Sequence, residues 1–197
     1  MSERKVEMEV RLAAALDRGL SGFRKLRSFA RLSGGASQET YKIVIDTAAG
    51  ERTLALRRNA GGVWNDEVLP GRAGIETEAL LMGLAKQAGV PEPEVLTLLI
   101  REDQLGQGFF MQWLDGETLG ARIVRSESLA EVRPRLARQC GEILARIHAI
   151  PVETSGLADA LQAVDPRAFV EQTWAGDRKS TRLNSSHVVI SYAVFCF

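Results

Sequence analysis

The stretch LSGGASQETYKIVID, Leu32 to Asp46, decides how the chain is read, together with TLALRR, Thr53 to Arg58, which follows it. Thr40-Tyr41-Lys42-Ile43-Val44-Ile45 is rich in β-branched and aromatic residues, and Thr53 to Arg58 has the pattern of a third strand. Gly34-Gly35 opens a turn between an earlier strand and the Thr40–Ile45 strand. Paired glycines beside Ser37 leave several backbone N–H groups able to converge on one point with a hydroxyl in reach, an arrangement that can hold a phosphate. The same glycines also serve as a plain hairpin turn, and this segment alone leaves both readings open.

In the third strand, alternation puts Thr53, Ala55 and Arg57 on one face and Leu54, Leu56 and Arg58 on the other. Ala55 leaves room for a flat ring, and a long cation two positions on reaches past that ring toward phosphates. An ordinary strand end carrying surface arginines is the competing reading.

Outward from this core, Met8, Leu12, Leu16 and Leu20 recur at helical spacing, so an amphipathic helix opens the chain and Phe23 to Leu32 leads into the first strand. Asn59 to Gly74 is a loop by its glycines and Pro70. Glu76 to Ala88 is helical, with Ala79, Met82 and Ala85 on one face. Glu76 and Glu78 in its first turn suit the helix dipole, or one of them meets the strand cation. Val95 to Ile100 and Phe109 to Leu114 complete five strands, and Gln112 to Thr118 reads as a linker. Leu119 to Val124 forms a short helix. Leu129 to Ile147 forms a long amphipathic one that stops at Pro151, with Cys140 on its apolar stripe as a core cysteine and His148 suiting its last turn. Another helix starts over Pro166 to Trp174.

Composition narrows the function classes. Twenty-five basic and 25 acidic residues among 197 give no basic nucleic-acid surface. No apolar run has the length of a membrane span, MSERKVEMEV has no signal-peptide core, and two cysteines without metal spacing suit a reducing cytosol. A cytoplasmic location is therefore expected. No G-x-x-x-x-G-K-[ST] occurs, so a P-loop nucleotide site is not expected.

The carboxyl end stands apart. DRKSTRLNSSH, then VV, then ISYAVFC resembles one translated frame of a common sequencing adapter, with Val188-Val189 at its index. Residues 177–197 are accordingly set aside from fold reasoning; a native strand after a basic linker is the alternative. The tail takes with it three of the basic residues and one of the acidic ones, leaving the remainder slightly acidic.

The motifs LSGGASQETYKI, LALRR, IETEALLMGLAKQAGVPEPEVL, GFFMQWLDGETL and GEILARIHAI, in this order over about 30–150, together resemble the aminoglycoside phosphotransferase-type family of protein-kinase-like folds. The similarity includes the phosphotransferase domains found fused to acyl-CoA dehydrogenases. It implies an α+β architecture: a kinase-like N-lobe with its amino-terminal helix over 1–111, an inter-lobe linker over 112–118, and the first helices of a helical lobe over 119–176. It also implies a nucleotide site, for ATP or GTP with Mg2+, and a small-molecule hydroxyl acceptor. Gly34, Gly35 and Ser37 would cover the phosphates. Ala55 would face the base, Arg57 would stand at the strand-lysine position, and Glu78 (or Glu76) would be its helix partner. The backbone of Gln112 and Leu114 would meet the base, with Met111 behind it.

Three departures from that family stand out. The loop lacks a full G-x-G-x-x-G, and Gln38 stands where an Asn is frequent. Arg57 replaces Lys, exchanging a point donor for a planar fork. The family's H-G-D…N loop and later metal-holding Asp find no counterpart in 149–176, where Asp159 and Asp165 lack the accompanying residues. The chain is therefore expected to carry the nucleotide-binding part of a phosphotransferase, inactive by itself and marginally stable. A nucleotide-binding or regulatory module without chemistry, and a small α+β interaction domain, are the alternatives.

Overall fold

A computed structural model describes residues 3–32, 38–65, 73–161, 165–171 and 174. Helix α1 (Glu3–Gly19) leads into strands β1 (Phe23–Arg31), β2 (Gln38–Thr47) and β3 (Gly50–Asn59). Helix α2 (Ile75–Gln87) precedes β4 (Val95–Leu98) and β5 (Gly108–Gln112). The strands form one antiparallel sheet in the order β1-β2-β3-β5-β4. This is the α+β arrangement expected from the sequence, with β4 and β5 ending earlier than read and the first strand shifted. The first strand is Phe23–Arg31 itself rather than a segment after it. It is an edge strand whose arginines and lysine face solvent, so it lacks the apolar alternation that marks a half-buried strand.

Pleating sorts the side chains of β2 and β3 into two faces. Tyr41, Ile43 and Ile45 of β2 share a face with Leu54 and Leu56 of β3 and Phe110 of β5, and Leu12, Ala15 and Leu16 of α1 pack on it. Burying one such side chain contributes roughly 1.5–3 kcal/mol, so this layer is a large source of stability. Arg18 of α1 grips Asp103 through Nε (3.1 Å) and Nη2 (2.6 Å), and Asp103 also accepts the Ile100 N–H. That contact pins the end of α1 to the turn between β4 and β5.

The opposite face carries Thr40, Lys42, Ala55, Arg57, Phe109 and Met111, by register. Ile75 and Ala79 of α2 pack there on Phe109, flanked by Met82, Val95 and Met111.

The chain divides into two compact units. Among the described residues, one spans 3–65, 73–87 and 91–115, and the other 88–90 and 116–174. The second contains α3 (Gly120–Arg125), a 3₁₀ turn (Glu127–Leu129), α4 (Arg133–His148) and α5 (Leu157–Ala160). The long helix therefore starts later than Leu129, because Pro134 sets its first turn. The brief α5 carries no periodicity long enough to read. No residue of α4 is buried, so Cys140 is half-exposed rather than a core cysteine. His148 does lie in the last turn of α4. No described helix is long and apolar enough to cross a membrane.

Candidate functional site

Arg57 leaves β3 on the α2 side of the sheet, opposite Phe109 and Thr40. Its Nη2 lies 2.8 Å from Oε1 of Glu78, and Oε2 of Glu78 accepts a hydrogen bond from Gln38 Nε2 at 3.0 Å. Of the two first-turn glutamates, Glu78 is the one that meets the strand cation. The reason is helical geometry: Ala79 and Ile75 face the sheet, and position 78 flanks that stripe on the side toward β3. The pair is half-sheltered, with 34% of the Arg57 side chain and 16% of Glu78 exposed. Arg57 Nε is buried and has no hydrogen-bond partner, a donor that an anion's oxygen would satisfy.

Around this pair the other sequence-derived positions fall as follows. Ala55 is buried beside Met111 of β5, on the same face as Arg57. The N–H of Gln112 is donated to the Glu94 carbonyl, so any contact of that backbone with a base falls to its own carbonyl. Leu114 is exposed. Gly34, Gly35 and Ser37 lie outside the described residues.

Three residues near the site, Lys42, Trp113 and Glu92, were not singled out from the sequence as parts of it, and Gln38 was noted only as a departure in the glycine-rich loop. Gln38 binds Glu78 across 40 positions of chain, a contact that has no local signature. Lys42, opposite Ala55 in register, sets its ammonium 4.7 Å from the centre of the Trp113 ring, a cation–π contact, while Trp113 Nε1 donates to Asp115. Glu92 is held above the ordinary glutamate range, first by burial and then by the charge of Glu78. A lone polar residue in a Pro-rich turn gives no sign of this.

Arg58 corrects the reading of surface arginines at a strand end. It is buried on the α1 face, where Nε and Nη2 donate to Oε2 of Glu39 at 3.0 and 2.8 Å. Nη1 reaches the Leu105 carbonyl at 2.9 Å. Glu39 Oε2 also accepts from Tyr41, and its Oε1 takes the Gly61 N–H and lies 3.1 Å from Arg31. Burial pushes the Glu39 carboxyl up, but these donors outweigh it and hold the group below the usual range. No group of three His, Cys, Asp or Glu residues that could hold a metal ion occurs among the described residues.

The comparisons with known proteins bear on the fold and the family of the chain. A candidate aminoglycoside phosphotransferase of Ralstonia eutropha JMP134 has the same fold, with a TM-score of 0.64 at 21% identity over 89% of this chain and 48% of that one. The sheet and its helices are thus those of a kinase-like N-lobe. Acyl-CoA dehydrogenase family member 10 of Mus musculus is 26% identical over 155 residues, which is 77% of this chain and 13% of that protein. The chain therefore spans about half of the one relative and a small part of the other. The profile of the phosphotransferase enzyme family matches residues 28–184, from the end of β1 through the helical unit. With four-fifths of its length inside that match, the chain belongs to the phosphotransferase enzyme family.

Proposed function

We propose that the sheet unit binds the phosphates of ATP or GTP and forms the nucleotide-binding part of a phosphotransferase acting on a small hydroxyl compound. One observation carries the reading. The Arg57 cation, paired with Glu78, keeps a buried N–H with no acceptor on the α2 side of the sheet, the side that also carries Ala55, whose small side chain would admit a base. Gly34, Gly35 and Ser37 would add backbone and hydroxyl donors, and the carbonyl of Gln112 and the N–H of Leu114 would meet the base beside Met111. The nucleotide would supply the transferable phosphoryl group. The contribution of this chain is to hold and orient it and to offset its charge.

The described residues do not form a metal site, so no step is assigned to Mg2+ here. The groups that orient an acceptor and hold the metal would come from sequence not represented in this chain, with 112–118 as the linker, 119–176 as the opening of a helical lobe, and 177–197 as adapter-derived. A cytoplasmic setting fits the cysteine usage. Titration calorimetry of the purified chain with ATP and GTP tests the reading. Binding should weaken about 10- to 100-fold in Arg57→Met, the value of a charge-assisted hydrogen bond. Unchanged affinity in that variant would refute it.

The competing reading is a regulatory nucleotide-binding module without chemistry. Genuine codons downstream of residue 176 decide between the two. An H-G-D…N loop and a later Asp support the enzyme, and their absence supports the module.

A further inference from the structure

β2 and β3 each carry a couple of consecutive polar residues: Gln38 and Glu39 on one, Arg57 and Arg58 on the other. Neighbours along a strand point to opposite faces, so one member of each couple serves the α2 side and the other the α1 side. On the α2 side, Gln38 holds one oxygen of Glu78 while Arg57 meets the other. On the α1 side, Glu39 and Arg58, in register and both buried, are locked by two guanidinium–carboxylate contacts and by Tyr41, Gly61 and the Leu105 carbonyl.

This layout has a chemical consequence. A carboxylate facing a guanidinium prefers to engage it with both oxygens, in a fork-to-fork pair. In this structure the second oxygen of Glu78 is turned toward Gln38, from which it accepts, and the buried Arg57 Nε is left without an acceptor. We propose that Gln38 is a positioning residue that restrains Glu78 to a single contact with Arg57, so that the Nε–H stays available to an anion, with the Glu39–Arg58 pair holding both strands in the register this requires. The proposal rests on the nucleotide reading above and names residues that act through Arg57 without touching the ligand.

Two measurements on the purified full chain test it. In the ligand-free protein, the Arg57 Nε–H proton resonance should move downfield in Gln38→Ala, as Glu78 turns onto it; an unmoved resonance overturns the proposal whatever the ligand. By calorimetry, Gln38→Ala should weaken ATP about three- to tenfold, one neutral hydrogen bond's worth of positioning, while adenosine binds as in the unmodified chain. Glu39→Gln should show the same split between ATP and adenosine with a lower melting temperature. Should that variant not fold, Gln38→Ala alone carries the result. Equal loss of ATP and adenosine, or wild-type ATP affinity in Gln38→Ala, overturns the positioning role. Failure of the unmodified chain to bind ATP at all would instead sink the nucleotide reading, and this inference with it.

Discussion

At the residue scale, the behaviour of two adjacent arginines is set by which way the strand turns them. Arg58 is committed to the interior, where its value depends on Glu39 remaining charged and paired. Removing one partner leaves a buried charge unpaired, so Glu39→Ala should lose about 3–5 kcal/mol in urea unfolding, whereas an apolar replacement of both partners should lose far less. The pH dependence follows from the depressed carboxyl. Its stabilisation is complete above the ordinary glutamate value of 4.5 and is lost as the pH falls from there through the lower folded-state value. The melting difference between Glu39→Gln and the unmodified chain should therefore shrink below pH 4.5. Glu92 has the opposite sign. Its carboxyl is raised by burial and by Glu78, so it opposes folding once deprotonated and ceases to do so in acid. Glu92→Gln should raise the melting temperature at pH 7 and make no difference at pH 4 or below; a neutral-pH decrease would contradict this.

At the element scale, α1 contributes stability that periodicity alone foresaw: Leu12 and Leu16 are wholly buried. Leu16→Ala should lose about 2–5 kcal/mol by transfer and cavity terms, measured by chemical denaturation. The turn before β5 is the less obvious constraint. Gly106 has φ +81, and a Cβ there would lie 2.3 Å from the Gly62 carbonyl carbon. Both the left-handed backbone and the close approach exclude a side chain. Gly106→Ala should therefore cost more than the about 1–3 kcal/mol of strained backbone alone, and a neutral effect would disprove the packing argument.

At the scale of the whole molecule, the two units differ in how they are held. The sheet unit has a continuous apolar layer under α1, whereas α4 has no buried residue. Amide hydrogen exchange should accordingly be slow in β2, β3 and β5 and orders of magnitude faster in α4, where opening exposes little new apolar surface. Equal protection in both would overturn this.

Much of this was legible in the chain: the five strands, the helix after the third with its acidic first turn, and Arg57 and Arg58 on opposite faces. Those features depend on period and on turn residues, which are local. Edge strand β1 was misplaced because solvent-facing arginines erase the alternation, and Cys140 was misread because an apolar stripe says what a helix could bury and not whether anything covers it. The selection of Glu78 over Glu76, the grip of Gln38 on it, and the burial of Arg58 by Glu39 were decided only in three dimensions. Each joins residues between 19 and 40 positions apart, and the register of β2 on β3 together with the seating of α2 on the sheet, which no local pattern encodes, settles which side chains meet.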